Sequence, residues 1–335
     1  IRAMLLADNN SQTVSKYIHT PYLTYIPNPS FEKNGYVQHN NSGYRGEEVP
    51  LKKGEKFRVL CLGGSTTYGF GVDDPQDSYP AQLKKILQSS GEFSHGVEVI
   101  NAGIEAGTSA EELTHYLLKY RYYQPDLVVI HSGGNDVFVF KDDIDYQLDY
   151  TNYRKTRFHI EPAPARIKWM FHSRFVSFIW IWSVYGPMMN NSIDMYANRD
   201  VESVRIAKWT DRELISDSTI SDLTFHAFYQ NHKLLIQNIL NDGAEVLNMS
   251  FGHDPSYYET HNMPKVKAGM VYNNKIIEQV SEELHVVYIP FEFSSISDPS
   301  YWLDDCHLNE KGENEKAELV AKYILNELAK KDEGN

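Results

Sequence analysis

Ser65 follows Gly63-Gly64 directly after the apolar run 57–62, and Asp304 stands three residues before His307. A hydroxyl at the end of a buried strand, with two glycines giving the backbone room, can act as a nucleophile. The same sequence also suits a helix cap or a glycine-rich phosphate cradle. An aspartate three residues before a histidine can be brought onto the imidazole by one turn of chain. There it fixes the tautomer and leaves the other ring nitrogen to face a nucleophile. Two further small-residue turns carry polar groups: Asn101-Ala102-Gly103 running on to Gly107, and Gly133-Gly134-Asn135-Asp136.

These groups meet only if the chain places them on one edge of one sheet. Strands are predicted at 57–62, 97–100, 126–130, 245–249 and 286–289. Helices are predicted from 79 to 87 and from 110 to 123, around 225–242, around 270–284, and from 313 to 328. Alternation of strand, small-residue turn and helix is the pattern of a parallel sheet with helices on both faces. The expected fold is α/β, a three-layer α/β/α sandwich with a five-stranded parallel flavodoxin-like sheet. In such sheets ligands bind at the carboxyl ends of the strands, so Ser65, the 103–107 backbone and Asn135 are expected to face one cleft.

The alternation breaks between 140 and 222, which reads as an insertion into a domain spanning 57–330. Its stretch 175–189, FVSFIWIWSVYGPMM, is short for a membrane span and is interrupted by Gly186-Pro187. A lid, a dimer face, an interfacial segment or plain packing all fit it. Residues 1–56, rich in prolines and aromatics, read as an arm packed on the domain, with Arg45 a candidate for a pocket rim.

Composition narrows the partners. With 32 Lys and Arg against 45 Asp and Glu, the net charge is −13, and no basic face is offered to nucleic acid. Cys61 and Cys306 give neither a disulfide framework nor zinc-site spacing. His131, His232 and His253 read as core or surface residues, Asp136 as a turn cap, and Asp305 as solvated or helix-starting. Gly64 and Gly69 have the spacing of a phosphate loop, but Phe70-Gly71 stands where Lys-Ser/Thr belongs. No G-x-G-x-x-G follows the first strand. The first residue is Ile1, so an export signal or membrane anchor upstream, and an extracytoplasmic location, are expected. The sequons at Asn9, Asn40, Asn190 and Asn248 do not decide this.

The chain resembles the SGNH hydrolases, the GDSL esterase/lipase superfamily. Its blocks appear in order as LGGSTT, NAGIEAGTS, GGND and DDCH, over roughly 56–140 and 225–330. The resemblance implies Ser65 as nucleophile, His307 as general base and Asp304 as its orienting acid. It implies an oxyanion hole from the Ser65 N–H, a backbone N–H of the second block and the Asn135 side chain. Gly64 replaces the acidic residue of the family's GDS. In the second block the family's oxyanion glycine falls on Ala106; backbone flexibility favours the neighbouring Gly107. The implied activity is hydrolysis of small acyl oxygen esters, most readily acetyl on carbohydrate, through an acyl-serine and with no metal or cofactor. A lipid ester or thioester hydrolase and an O-acyltransferase are the alternatives, and a non-catalytic binding module is the third reading.

Overall fold

The computed structural model describes residues 16–18, 20, 22–29, 31–141, 148–150, 227–261, 263–291, 296 and 298–333. The chain divides into two compact units, 1–17 with 154–210, and 18–153 with 211–335. The second holds the main sheet and its helices. The stretch expected as an insertion, 140–222, including 175–189, lies almost wholly outside the described residues.

Five strands form the main sheet: β1 (Phe57–Gly63), β2 (Val97–Gly103), β3 (Leu127–His131), β4 (Glu245–Met249) and β5 (Val287–Ile289). Their order is β2-β1-β3-β4-β5 with every pairing parallel. The helices are α1 (Ser65–Tyr68), α2 (Tyr79–Ser89), α3 (Ser109–Leu118), α4 (Ala227–Asn241), α5 (Pro255–Thr260), α6 (Pro264–Leu284) and α7 (Glu310–Glu333). This is the expected flavodoxin-like sandwich, with β1 and β3 in the middle of the sheet.

Period-two alternation along the strands sorts the core into its two layers. Leu60, Leu62, Val128 and Ile130 face Tyr116 of α3, Phe228, Leu235 and Ile239 of α4, and Ile276, Ile277 and Val280 of α6. Val59, Cys61, Val129 and Met249 face Tyr79, Leu83 and Leu87 of α2 and Ala317, Val320 and Ile324 of α7. Arg58 interrupts the apolar run of β1 and is itself fully buried. It is tolerated because its guanidinium pairs with Glu98 Oε2 at 2.7 Å and donates to the carbonyls of Tyr123 and Pro50.

Two boundaries differ from the sequence reading. β2 continues three residues past Ile100, because Asn101, Ala102 and Gly103 stay in register with Cys61, Leu62 and Gly63. The helix expected over 110–123 stops at Leu118 and gives way to a 3₁₀ turn at Tyr120–Tyr123. Among the described residues no helix is long and apolar enough to cross a membrane.

Arg45 is not a rim residue. It is buried, with Nη1 donating to the Gly69 carbonyl at 2.6 Å and the Tyr68 carbonyl at 3.2 Å, and Nη2 donating to the Val72 carbonyl at 2.6 Å. His39 adds a contact between Nε2 and the Tyr68 hydroxyl at 3.0 Å. These residues of the N-terminal segment therefore fasten the turn that follows Ser65.

Candidate active site

β1 ends at Gly63, where a side chain would meet the His131 carbonyl oxygen at 2.3 Å and Thr67 Oγ1 at 2.4 Å. Only glycine allows β1 and β3 to close so tightly above the turn. Gly64 is closed off in another way. A Cβ there would stand 2.8 Å from Asn135 Nδ2, so a side chain at this position would crowd the Asn135 amide. The chain then turns into α1, and Ser65 is its first residue. The first N–H groups of a helix have no intrahelical acceptor, so the Ser65 N–H points out of the turn.

His307 arrives from the opposite side of the sequence, on the loop before α7. The loop is closed by a bridge between Trp302 and Leu308 and by the Leu303 N–H donating to the His307 carbonyl at 2.8 Å. His307 Nε2 lies 2.8 Å from Ser65 Oγ, and its Nδ1 lies 2.7 Å from Asp304 Oδ2 and 2.9 Å from Oδ1. Asp304 Oδ1 also accepts the backbone N–H groups of His307 at 2.8 Å and Cys306 at 3.0 Å. Burial pushes the Asp304 carboxyl up, but the His307 ring and these two N–H donors outweigh it and hold the carboxyl well below its usual range. An ionised Asp304 fixes the proton on Nδ1 and leaves Nε2 as acceptor for the Ser65 hydroxyl. Ser65 and His307 are both buried. Phe70 packs on the imidazole with ring centroids 4.8 Å apart and is 38% exposed.

The second block corrects the preference for Gly107. The backbone turns left-handed at Ala106, φ 57°, and the Gly107 N–H donates to the Ile104 carbonyl at 2.9 Å. Ile104 to Gly107 is thus a β-turn of the type II kind, with Ala106 at the third position, where that type has a positive φ. The Gly107 N–H closes that turn and is engaged there. The Glu105–Ala106 peptide is the central one of the turn, and its carbonyl accepts the Tyr25 hydroxyl at 2.7 Å. In a trans peptide the N–H and C=O point in opposite directions, so Tyr25 directs the Ala106 N–H to the other side. Gly107 contributes its carbonyl, which accepts Asn135 Nδ2 at 2.8 Å.

Other side chains depart from their expected places. Asp136 is fully buried rather than a plain turn cap. It accepts the Ser109 N–H at 3.1 Å, the Ser109 hydroxyl at 2.6 Å and the Tyr150 hydroxyl at 2.8 Å. Burial raises its carboxyl to about 6 against those hydrogen bonds. Asp305 is half-buried and accepts the Tyr258 hydroxyl at 2.9 Å, so it is neither solvated nor helix-starting. His131 is a core residue, as expected, and stacks on Phe251. Its Nδ1 lies 3.0 Å from the Nζ of a fully buried lysine, Lys316, which also donates to the Thr66 carbonyl at 3.0 Å and sits 4.0 Å over the Tyr79 ring. Burial lowers Lys316 to about 8, partly offset by Glu313. His232 is buried and bonded to Asn248. Cys61 and Cys306 are free thiols.

Lys316 and Tyr25 were invisible as site residues in the sequence. Lys316 reads as one charge among many in α7, and the only hint is its place on the apolar face between Glu313 and Val320. For Tyr25, no spacing in 20–29 marks its hydroxyl. Among the described residues, Asp304, Asp305, Cys306 and His307 form a group whose possible metal-ligand atoms lie within 4.8 Å of one another.

Residues 61–314 match the model of the GDSL-like Lipase/Acylhydrolase family, a span that includes Ser65, Asn135, Asp304 and His307. A stretch of 97 residues is 35% identical to an acetylxylan esterase of Xylanibacter ruminicola; it is 27% of this chain and 19% of that protein, so the chain spans under a fifth of this relative's length. Among solved structures, a GDSL-like lipase from Bacteroides thetaiotaomicron aligns with TM-score 0.46 at 13% identity, over 83% of this chain and 92% of that one. An acetylxylan esterase from Geobacillus stearothermophilus aligns with TM-score 0.47 at 14% identity, over 80% and 94%.

Proposed function

Since the chain belongs to the GDSL-like lipase/acylhydrolase family, we propose that it is a serine esterase that removes small acyl groups, acetyl above all, from oxygen esters on carbohydrate. The observation that carries this reading is the continuous path Ser65 Oγ, His307 Nε2, His307 Nδ1 and Asp304 Oδ2, with contacts of 2.8 and 2.7 Å. A serine hydroxyl is a weak nucleophile at its own pKa and needs such a base.

In the first half-reaction Ser65 Oγ attacks the ester carbonyl as its proton passes to His307 Nε2. The tetrahedral oxyanion is held by donors aimed at where its charge develops. We assign these to the backbone N–H groups of Ser65 and Ala106 and to Asn135 Nδ2. The Asn135 amide carries two N–H bonds; one is given to the Gly107 carbonyl, which fixes the direction of the other. His307 then gives its proton to the leaving alcohol as the C–O bond breaks, and acyl-Ser65 remains. Water attacks in the second half-reaction with His307 again as base, releasing the acid and restoring the Ser65 hydroxyl. Asp304 stays ionised and stabilises the imidazolium.

Acetylated carbohydrate as substrate is supported by the partial likeness to an acetylxylan esterase. The test is acetate release from acetylated xylo-oligosaccharides beside hydrolysis of 4-nitrophenyl acetate, butyrate and octanoate, by the wild-type chain and by Ser65→Ala. Acetate release and a preference for the acetyl ester are expected, both lost in Ser65→Ala. Preference for octanoate without acetate release would move the substrate to lipid esters. Acyl transfer to an added sugar in place of hydrolysis would make the protein a transferase of the same mechanism.

A further inference from the structure

We propose that Asp136 is a positioning residue of the oxyanion corner: its buried carboxylate clamps the start of α3 to the turn that carries Asn135, and so fixes the spacing between the Ala106 N–H and the Asn135 amide. The effect on rate rests on the esterase reading; the clamp itself does not.

Nothing in the proton path of the esterase mechanism uses Asp136. It is fully buried, and a buried carboxylate is costly unless donors surround it. Here they do. Oδ1 accepts the Ser109 hydroxyl at 2.6 Å and the Tyr150 hydroxyl at 2.8 Å, and Oδ2 accepts the Ser109 N–H at 3.1 Å. Ser109 is the first residue of α3, so its N–H has no acceptor within the helix, and a negative charge is favoured there. While the Ser109 hydroxyl donates to Asp136, it accepts Asn231 Nδ2 of α4 at 3.2 Å. Asp136 thus joins the turn after β3 to α3 and, through Ser109, to α4.

Asn135 and Asp136 are successive residues whose side chains reach one segment at two points. Asn135 Nδ2 donates to the Gly107 carbonyl at 2.8 Å, and Asp136 takes both the N–H and the hydroxyl of Ser109. One contact leaves two segments free to pivot about it. Two contacts, on either side of Thr108, fix their separation and their angle. The turn below Asn135 is held on its other side: the Gly133 carbonyl accepts Asn273 Nδ2 at 2.8 Å, and a side chain at Gly134 would meet the Phe251 ring at 2.2 Å. The segment from Ala106 to Ser109 is therefore the part that Asp136 places. Placement matters because an oxyanion donor acts only within hydrogen-bond reach of the developing charge. An amide at 136 has one acceptor oxygen where the carboxylate has two, and it sets an N–H against a donor of Ser109.

The experiment is steady-state hydrolysis of 4-nitrophenyl acetate by the full chain and by Asp136→Asn, each with and without Asn135→Ala, beside amide hydrogen exchange of the same proteins read by peptide mass spectrometry. Asp136→Asn is expected to lower kcat by about tenfold or more with KM within about twofold, and to cost under about threefold once Asn135→Ala is present. Exchange speeds up in peptides covering 104–112 and 133–139 and stays as it was in β4 and β5. An equal loss of kcat in both backgrounds makes Asp136 a general support of the fold and overturns the proposal, and so does unchanged exchange over 104–112. If Asp136→Asn does not fold, Ser109→Ala, which keeps the N–H bond and loses only the hydroxyl, carries the same comparison at about fivefold in kcat. Faster exchange over 104–112 in a chain that hydrolyses no ester keeps the clamp and counts against the esterase reading instead.

Discussion

Asp304 and His307 lie three residues apart on one loop, while the groups assigned to the oxyanion, at Ser65, Ala106 and Asn135, come from the ends of three different strands. The loop is locally self-sufficient. Asp304 Oδ1 accepts two backbone N–H groups of its own turn, and Oδ2 takes the imidazole. The corner is held by the tertiary structure. Asn135 is aimed by the Gly107 carbonyl, and the Glu105–Ala106 peptide by the Tyr25 hydroxyl, 80 residues away in sequence. A function built into one turn survives changes elsewhere in the chain, whereas one assembled from strand ends depends on every element that sets their heights.

The comparison makes graded predictions. Replacing Asp304 with Asn leaves the loop's shape but presents the wrong partner to Nδ1, so kcat for 4-nitrophenyl acetate falls by about four orders of magnitude. Steady-state kinetics, with circular dichroism to show that the fold is kept, measure it, and a loss below tenfold would remove Asp304 from the acid–base pair. On the other side, Asn135→Ala lowers kcat by about 10²- to 10³-fold with KM little changed, the size of one lost oxyanion donor. A rise in KM at constant kcat would instead make Asn135 a ground-state binding group.

Beneath both halves lies Lys316, bound to the carbonyl of Thr66 next to the nucleophile. Its ordinary value of 10.5 is lowered to about 8 by burial. Above 10.5 it is neutral in both folded and unfolded chains and carries no penalty. As pH falls from 10.5 to 8 the unfolded chain takes up a proton that the folded one does not, and stability is lost. Relative to Lys316→Met, the wild-type chain is therefore expected to lose about 3 kcal/mol between those limits. Urea denaturation of both proteins across that range measures it, and parallel pH curves would show that the buried ammonium is not destabilised. The smallest effect belongs to Tyr25→Phe. Loss of one hydrogen bond to the Glu105 carbonyl is worth about 1 kcal/mol, so kcat falls about fivefold and KM stays. An unchanged kcat would detach Tyr25 from the oxyanion corner.

The same contrast explains what the sequence revealed. The five strands, their parallel order and the loop carrying Asp304 and His307 were legible, because apolar runs ending in Gly63-Gly64 or Gly133-Gly134 and an i, i+3 spacing are local signals. The donor in the second block was not. Composition pointed to Gly107 as the flexible residue, yet the left-handed turn falls on Ala106, because the Gly107 N–H closes onto Ile104 and the Glu105 carbonyl is pulled toward Tyr25. Arg45 and Asp305 were misplaced for a related reason. A charged residue in a polar stretch reads as exposed until the backbone carbonyls or the hydroxyl it satisfies are known.

The central claim is that His307 and Asp304 make Ser65 a nucleophile, and labelling with a fluorophosphonate tests it most directly. Intact-mass and peptide mass spectrometry of the wild-type chain should show one adduct, on Ser65, formed quickly. Labelling should be absent in Ser65→Ala and slowed by several orders of magnitude in His307→Ala. An adduct on another residue, or labelling of Ser65 at the same rate without His307, would contradict the account.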